Sequence, residues 1–161
     1  LVLILAPRHL ERVREVEILL KKEKIPWKRK SQLQGTGQRE GARVILLDTF
    51  GELAKLYSIG TIIFVGGSLV RVGGHNILEP LFFKKPVLFG PFMDHFREIS
   101  NEVLRKGAGF RIADSEEMVL RAKTLLENLS LRSDMGNRGA EIIRDNRGAT
   151  GKTLETIFRF V

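Results

Sequence analysis

The sequence predicts an α/β fold: a Rossmann-like, doubly wound parallel sheet of about six strands with helices on both faces. Short apolar runs rich in β-branched residues recur along the chain, and stripes of apolar residues at helical spacing separate them. Strands that are apolar on both faces and alternate with helices are typical of a parallel sheet covered on both sides. At 161 residues and 43% hydrophobic content, the chain is expected to form one well-buried domain over residues 1–161.

Six segments carry the strand pattern: LVLILA at 1–6, a weaker one at 27–30, ARVILL at 42–47, TIIFVG at 61–66, PVLFG at 86–90 and GFRIA at 109–113. The first has no basic leader before it and no small-residue cleavage site after it, so a buried strand is favoured over a signal peptide. A chain that begins inside a strand without an initiator methionine is expected to be a fragment of a longer protein.

Three core-facing helices are predicted from apolar residues at helical spacing. Their stripes are Leu10, Val13, Val16 and Leu20, then Phe92, Phe96, Ile99 and Val103, then Met118, Ala122, Leu125 and Leu129. Asp114, followed by serine and two glutamates, predicts the N-cap of the third helix. From Leu131 to Val161 the pattern predicts two further helices, with a break near NRGATG at 146–151.

Composition excludes several kinds of site. There are no cysteines, three scattered histidines and no run long enough to span a membrane, so neither disulfides nor a metal site are expected. The net charge of +8 favours anionic partners but does not choose among them. The basic run KKEKIPWKRK at 21–30 fits either a membrane-facing patch or a solvated helix end followed by an edge strand. We expect no nucleic-acid partner.

Standard phosphate-binding motifs are not satisfied. The glycines at 66, 67, 73 and 74 cannot be set into G-x-G-x-x-G, and GTG at 35–37, in the polar loop 32–42, lacks the third glycine. GATGKT at 148–153 imitates the end of a P-loop, but Asn146 stands where the first glycine should be, so we interpret it as a helix cap. No pair of aspartates has the spacing of a metal–diphosphate clamp, and no general base is obvious.

Polar clusters follow four of the predicted strands. They are Pro7, Arg8 and His9 after the first, Asp48 to Glu52 after the third, residues 66–80 after the fourth and residues 89–98 after the fifth. Ligands of open α/β sheets bind beyond the carboxyl ends of the strands, near the point where strand order reverses. The four clusters are therefore expected on one rim of the sheet.

The stretch VGGSLVRVGGHNILEP at 65–80 carries most of the expected chemistry. Gly66 and Gly67 permit positive φ and close approach of a ligand to the backbone, and Gly73 and Gly74 repeat that freedom before a helix. Pro80 fits a first helical turn and disfavours helical geometry for the residue before it.

Glu79 is therefore expected at the mouth of this helix, or as the capping-box partner of Asn76. Asn76, free amides and the positive end of the helix dipole can bind an anion, while Glu79 can accept hydrogen bonds from a vicinal diol such as ribose. The alternative is that Glu79 only caps the helix and the glycines only turn the chain.

The other clusters also have two interpretations. Arg8 can grip a phosphate with its forked donors or pair with a carboxylate such as Glu52, and its rim position favours the phosphate. His9 can orient a substrate or satisfy a local carbonyl, and the latter is favoured. The turn at Thr49, Phe50 and Gly51 either leads into a helix or reads the edge of a base with its backbone groups.

In this order and approximate spacing, APRH, DTFGEL, FVGGSLV, GGHNILEP and VLFGP followed by FRE resemble the C-terminal half of the bacterial Kdo transferases. Those enzymes move 3-deoxy-D-manno-octulosonic acid (Kdo) from CMP-Kdo to a lipid A precursor. The resemblance implies the donor-binding half of a GT-B glycosyltransferase, with Arg8 and Asn76 on the CMP phosphate and Glu79 on the ribose. It places Thr49 to Glu52 at the cytidine, and Gly67 and Ser68 in the donor pocket. Phe50 replaces a methionine that is common in the family.

The resemblance also implies what the chain lacks. The family's general base is a glutamate of the N-terminal domain, so this fragment is expected to contain no catalytic residue and to be inactive alone. Catalysis would need no metal or other cofactor. The acceptor would be a lipid A precursor, and the protein would sit peripherally on the cytoplasmic face of the inner membrane. A GT-B enzyme using a UDP-sugar and a non-catalytic nucleotide-binding module are the alternatives.

Overall fold

A computed structural model describes residues 1–33 and 41–146 of the chain. The chain divides into two compact units, Leu1–Leu53 and the part from Ala54 onward, and each is taken by itself. The GTG and GATGKT segments and the second helix of the tail lie outside the described residues. The expectation of a single domain over residues 1–161 stays a prediction.

The first unit contains a three-stranded parallel sheet. Its strands are β1 (Leu3–Leu5), β2 (Trp27–Arg29) and β3 (Val44–Leu46), in the order β1-β3-β2. The central strand β3 is buried along its length, which explains its unbroken apolar sequence. A 3-10 helix at Leu10–Arg12 leads into α1 (Val13–Lys22), which buries Val13 and Leu20 of the predicted stripe.

The second unit contains another three-stranded parallel sheet, in the order β4-β5-β6. Its strands are β4 (Ile63–Val65), β5 (Val87–Phe89) and β6 (Gly109–Arg111). Its helices are α2 (Leu53–Ile59), which begins at the boundary residue, α3 (Leu78–Phe82), α4 (Arg97–Arg105), α5 (Ser115–Glu127) and α6 (Leu129–Asn146). The prediction of about six parallel strands alternating with helices is confirmed, and the strands are grouped three and three.

The main core of the second unit forms around the central strand β5. Phe89 is fully enclosed and packs with Leu81 of α3, Val103 of α4 and Ile142 of α6. Gly139 lets α6 approach α3 closely, since a Cβ there would lie 2.7 Å from Leu81 Cδ2. The predicted stripe of α4 faces this core through Val103 and Ile99, whereas Leu129 of the third predicted stripe is 70% exposed and begins α6 instead of continuing α5.

The predicted N-cap of α5 is confirmed. The Asp114 carboxylate accepts a hydrogen bond from the Glu117 N–H at 2.9 Å. Glu117 in turn accepts from the Ala113 N–H, and its pKa is lowered chiefly by that bond. Among the described helices, none combines the length and apolarity needed to cross a bilayer.

Candidate functional site

In the second unit, the expected site residues lie in the loop that follows β4, at the carboxyl edge of the sheet. Gly67, Gly73 and Gly74 have φ values of 69°, 87° and 76°, a region in which a side chain is strained. Gly66 does not have positive φ, so the conformational freedom that a glycine permits is not used at this residue. A Cβ at Gly66 would meet no heavy atom within 4 Å.

Three side chains explain the absence of Cβ atoms at the other loop glycines. The His75 ring lies against Gly67, the His95 ring against Gly73, and the Met93 sulfur against Gly74. A Cβ at these glycines would lie 2.7, 2.4 and 2.4 Å from the nearest atoms of those side chains. Two of the three partners come from the loop after β5, so the loops after β4 and β5 pack closely on each other.

Ser68 is a correction to the expected pocket lining. The residue is 0% exposed, so it offers no surface to a ligand. Its hydroxyl donates to the Val65 carbonyl at 2.7 Å and accepts from the Gly90 N–H at 2.8 Å. The family resemblance implied that Ser68 lines the pocket, whereas its tertiary partner Gly90 could not be identified from local sequence.

Asn76 and Glu79 are brought together. Asn76 Nδ2 donates to Glu79 Oε1 at 3.1 Å, and Asn76 Oδ1 accepts from the Leu78 N–H at 2.9 Å. The Asn76 side chain is thus oriented by the backbone and Glu79 is oriented by Asn76. The amide has a second N–H and the exposed carboxylate a second oxygen, so the pair can present a donor and an acceptor to one ligand.

Glu79 is the second residue of α3 and Pro80 is the third, so both lie in its first turn, as expected. Two other features of this helix differ from the expected anion site. The N-cap is Ile77, which makes no side-chain capping bond. Because α3 has only five residues, few peptide dipoles align, and anion binding here depends on Asn76 and the loop amides rather than on a helix dipole.

Tyr57 of α2 is a neighbour of Glu79 that sequence reasoning missed. Burial raises the pKa of the phenol, and the negative charge of Glu79 raises it further. The Tyr57 phenol therefore stays protonated across the neutral range beside this carboxylate. A tyrosine at helical spacing in an amphipathic stretch is indistinguishable from a core residue, so no local signal identified it.

In the first unit, two expected clusters share one edge of the sheet. Leu5 of β1 and Leu46 of β3 are register partners, so the segments that follow them leave the sheet on the same side. Arg8 is exposed just beyond β1, and Pro7 is half-buried beside it. His9 Nδ1 lies 3.5 Å from Glu11 Oε1, so its side chain faces a neighbouring carboxylate rather than a carbonyl.

The turn at Thr49 to Glu52 is held by polar side chains. The Thr49 hydroxyl donates to Glu52, and Lys30 Nζ lies 3.3 Å from Glu52 Oε1. Gly51 has a φ of 78°, and the Phe50 side chain is 82% exposed. The turn therefore projects its aromatic ring and its backbone outward while the Glu52 carboxylate holds it from within.

Asp48 anchors the beginning of the same turn. Its carboxylate accepts from the Ser31 N–H at 2.9 Å and from the Ser31 hydroxyl at 2.5 Å. Burial would raise the pKa of Asp48, but the bonds from Ser31 and the charge of Arg29 outweigh burial and lower it. Arg29 also pairs with Glu17 through two bonds of 2.5 and 2.6 Å, which lower the pKa of Glu17.

Two open cavities flank these elements. One of about 220 Å³ in the first unit is lined by Leu10, Glu11, Val13, Arg14, Arg29 and Asp48, and it is smaller than most nucleotide-sugar pockets. The other, about 550 Å³, lies between the end of α3 and α6, next to the segment that enters β5. Because it lies at the amino edge of the sheet, it contains none of the expected donor-binding residues. Within residues 1–33 and 41–146, no three potential metal-ligating side chains cluster.

The chain was compared with known proteins. It is 43% identical over 124 residues to a bifunctional glycosyltransferase/methyltransferase of Fusobacterium nucleatum, covering 77% of this chain and 19% of that protein. It is 41% identical over 158 residues to a 3-deoxy-D-manno-octulosonic acid transferase of Haemophilus influenzae, covering 98% of this chain and 36% of that protein. The chain thus spans about a fifth and about a third of these relatives. No protein-family model matches it.

A solved structure shares the fold. The crystal structure of the C-terminal CMP-Kdo binding domain of WaaA from Acinetobacter baumannii matches with a TM-score of 0.82 and 30% sequence identity. The match covers 88% of this chain and 73% of that one. The similarity therefore extends over most of both molecules.

Proposed function

Since the chain belongs to the family of 3-deoxy-D-manno-octulosonic acid transferases, we propose that it binds the CMP-Kdo donor of a glycosyltransferase. The observation that carries this proposal is the Asn76–Glu79 pair at the end of the glycine-rich loop. A fixed amide and a carboxylate in contact with each other suit adjacent parts of one nucleotide: the phosphate for the amide and the ribose hydroxyls for the carboxylate.

The remaining contacts follow from chemistry at the two carboxyl edges. Arg8 is exposed and always charged, so it neutralises the CMP phosphate. The outward backbone of Thr49, Phe50 and Gly51 meets the cytosine, and Glu52 holds that turn in place. Gly66 leaves open space above its Cα, so the donor can approach the peptide plane there.

In the reaction that we propose, these residues bind and orient the donor and stabilise the departing CMP. The bond between the Kdo anomeric carbon and the CMP phosphate breaks, negative charge builds on the phosphate, and Asn76 stabilises that charge. The general base that deprotonates the acceptor hydroxyl of a lipid A precursor belongs to another domain of the complete transferase. The chain alone is therefore expected to bind CMP without turnover.

Calorimetric titration with CMP tests the binding. We expect saturable binding by the chain and a loss of about tenfold or more for Glu79→Ala and for Arg8→Ala, since each removes a charged or hydrogen-bonding contact. Glu141→Ala and Arg12→Ala are matched controls, because these exposed residues form local ion pairs away from the proposed contacts. Absence of CMP binding, or equal losses in the controls, would refute the proposal.

Other functions predict different results in the same assays. A glycosyltransferase with a UDP-sugar donor would bind UDP more tightly than CMP. A nucleotide-binding module without catalysis would bind CMP, but the complete protein would transfer no Kdo to a lipid A precursor. Transfer by the complete protein, with none by this chain, is the outcome that we expect.

We further propose a peripheral position on the cytoplasmic face of the inner membrane. The end of α1 and the residues after it expose the lysines at 21, 22 and 24 next to Ile18 and Leu19, which are 64% and 55% exposed. Basic side chains beside exposed aliphatic ones suit a bilayer that contains anionic lipids.

Vesicle sedimentation tests this position. We expect the chain to bind vesicles in which about one lipid in three is anionic more tightly than vesicles of neutral lipid. Lys21→Glu with Lys22→Glu should weaken binding by about thirtyfold or more, because the loss of two basic charges costs about 2 kcal/mol at roughly 1 kcal/mol each. Lys55→Glu with Lys123→Glu makes the same charge change elsewhere and should retain more binding. Equal losses in the two double variants would argue against a defined membrane face.

A further inference from the structure

Two parallel strand pairs of this protein, β1–β3 and β5–β6, continue past their last register pair by a direct backbone bond. After β1 and β3, the Leu47 N–H donates to the Leu5 carbonyl at 2.8 Å. After β5 and β6, the Ile112 N–H donates to the Phe89 carbonyl at 2.8 Å. In both pairs, the accepting carbonyl belongs to the last residue of one strand. The donating N–H belongs to the residue directly after its register partner on the other strand.

The pair β4 and β5 departs from this pattern. Val65 and Phe89 are the last register partners, so the Gly90 N–H is the donor that corresponds to those of Leu47 and Ile112. It donates to the Ser68 hydroxyl at 2.8 Å, and that hydroxyl donates to the Val65 carbonyl at 2.7 Å. A serine hydroxyl is thus inserted where the strands would otherwise bond directly.

The insertion is part of a wider connection between the loops after β4 and β5. The Ser68 carbonyl accepts from the Phe92 N–H at 2.9 Å, and the Gly73 carbonyl accepts from the His95 N–H at 3.1 Å. Gly90 has no room for a side chain, because a Cβ would lie 2.1 Å from the Ser68 carbonyl oxygen. Within the loop after β4, the Gly74 N–H donates to the Gly67 carbonyl at 2.9 Å.

We propose that Ser68 is a positioning residue for the nucleotide donor: its hydroxyl holds β4 and β5 apart at their carboxyl ends and fixes the loop that carries Gly66, Gly67 and Asn76. The proposal rests on the proposed function and goes beyond it, because Ser68 is 0% exposed and would act through the backbone groups to which it bonds. The hydroxyl serves both as an acceptor and as a donor, which a side chain without a polar hydrogen cannot do.

Removing the hydroxyl has a definite structural consequence. In Ser68→Ala, the Gly90 N–H and the Val65 carbonyl either bond directly, which closes the opening, or remain unsatisfied in the interior, which is costly. Both outcomes move the loop relative to β5 and displace the backbone around Gly67. Binding of CMP therefore decreases even though no group that touches the nucleotide has been changed.

The test compares two buried serines in the same unit. Ser100→Ala is the matched control, because the Ser100 hydroxyl is also buried but donates to the Arg97 carbonyl within α4. CMP affinity is measured by calorimetry, stability by thermal unfolding, and the backbone amide signals of residues 66–76 and 90 by NMR. Ser68→Cys is a second variant that keeps the approximate volume with a weaker donor and acceptor.

We expect Ser68→Ala to bind CMP about tenfold more weakly, with shifted amide signals throughout both loops, and Ser100→Ala to bind within about twofold of the parent chain. Ser68→Cys should fall between them. Parent-like CMP affinity in a folded Ser68→Ala overturns the proposal, as does an equal loss in Ser100→Ala. If Ser68→Ala does not fold, parent-like affinity in a folded Ser68→Cys overturns it. A parent chain that does not bind CMP refutes the proposed function, and unshifted loop amides in the variants then refute the positioning role separately.

Discussion

The loop after β4 and the turn after β3 occupy equivalent places at the carboxyl edges of their sheets but are held by different forces. The loop after β4 is fixed by neutral hydrogen bonds through the buried Ser68 and by side chains packed on glycines. The turn after β3 is fixed by ionisable groups near the surface, with Asp48 bonded to Ser31 and Glu52 to Lys30. The two segments should therefore respond differently to substitution, pH and salt.

Each segment suits the part of a nucleotide donor that we propose for it. A phosphate and a sugar require fixed hydrogen-bond donors and acceptors, which close packing provides in the loop after β4. A base edge that is read by backbone groups tolerates changes in the side chains around it, so Phe50 can differ from the methionine that is common in the family. The turn is held by hydrogen bonds from Ser31 and Thr49 and by the Lys30–Glu52 ion pair, which contributes about 1 kcal/mol or less.

Glycine substitutions should separate the two regions most strongly. Gly90→Ala forces a Cβ to within 2.1 Å of the Ser68 carbonyl oxygen, so we expect a loss of about 3 kcal/mol or more in the free energy of unfolding. Gly51→Ala meets no atom within 4 Å and has only the strain of its φ of 78°, which costs about 1 kcal/mol. Urea denaturation measures both values.

The order of these two losses is what matters. A loss for Gly51→Ala that equals or exceeds the loss for Gly90→Ala would contradict the assignment of rigid packing to the loop after β4. The steric effect also predicts that Gly90→Ala abolishes CMP binding at temperatures where it remains folded, whereas Gly51→Ala should weaken binding less.

The pH dependence of stability should identify the charged region. Because the pKa of Asp48 is lowered in the folded protein, its contribution is present above the unfolded value of about 3.9 and is lost as pH falls through the folded pKa. Asp48→Asn should therefore be less stable than the parent at neutral pH, by under about 1 kcal/mol after solvent screening. The gap should close below about pH 4.

Urea unfolding from neutral pH down to about pH 3 measures this difference in stability, because the lower end lies about one unit below the ordinary carboxyl pKa. Ser31→Ala removes the hydroxyl that donates to Asp48 and keeps the bond from the backbone N–H at that position, so it should reduce the pH-dependent part of the stability with Asp48 intact. A gap between Asp48→Asn and the parent that is constant over the whole range would show that the carboxylate charge does not hold the turn.

Sequence alone predicted the elements well and the contacts between loops poorly. The apolar runs and helical stripes identified all six strands and the N-cap Asp114, because burial and capping leave local patterns. Asn76 and Glu79 were identified as a pair because residues three positions apart on a turn are neighbours. The Ser68–Gly90 bond joins residues 22 positions apart, and the approach of Tyr57 to Glu79 depends on how α2 and α3 fold, so neither has a local signature.

Gly66→Ala should have the smallest effect on stability and gives the most specific test of donor approach. Gly66 lacks positive φ, and a Cβ would meet no heavy atom within 4 Å, so we expect a change in unfolding free energy within about 0.5 kcal/mol. If the donor approaches the peptide plane at this residue, the new methyl group occupies space that the ligand needs, and CMP-Kdo affinity should fall about tenfold or more.

Calorimetry and urea unfolding on the same variant separate the effect on donor affinity from the effect on stability. Gly41→Ala is the control for donor affinity alone, because Gly41 also lies in open space, although its φ of 80° should cost about 1 kcal/mol in unfolding free energy. Unchanged donor affinity in Gly66→Ala would place the donor elsewhere on the loop and leave the glycine without a binding role, since neither its conformation nor its neighbours require the absence of a side chain.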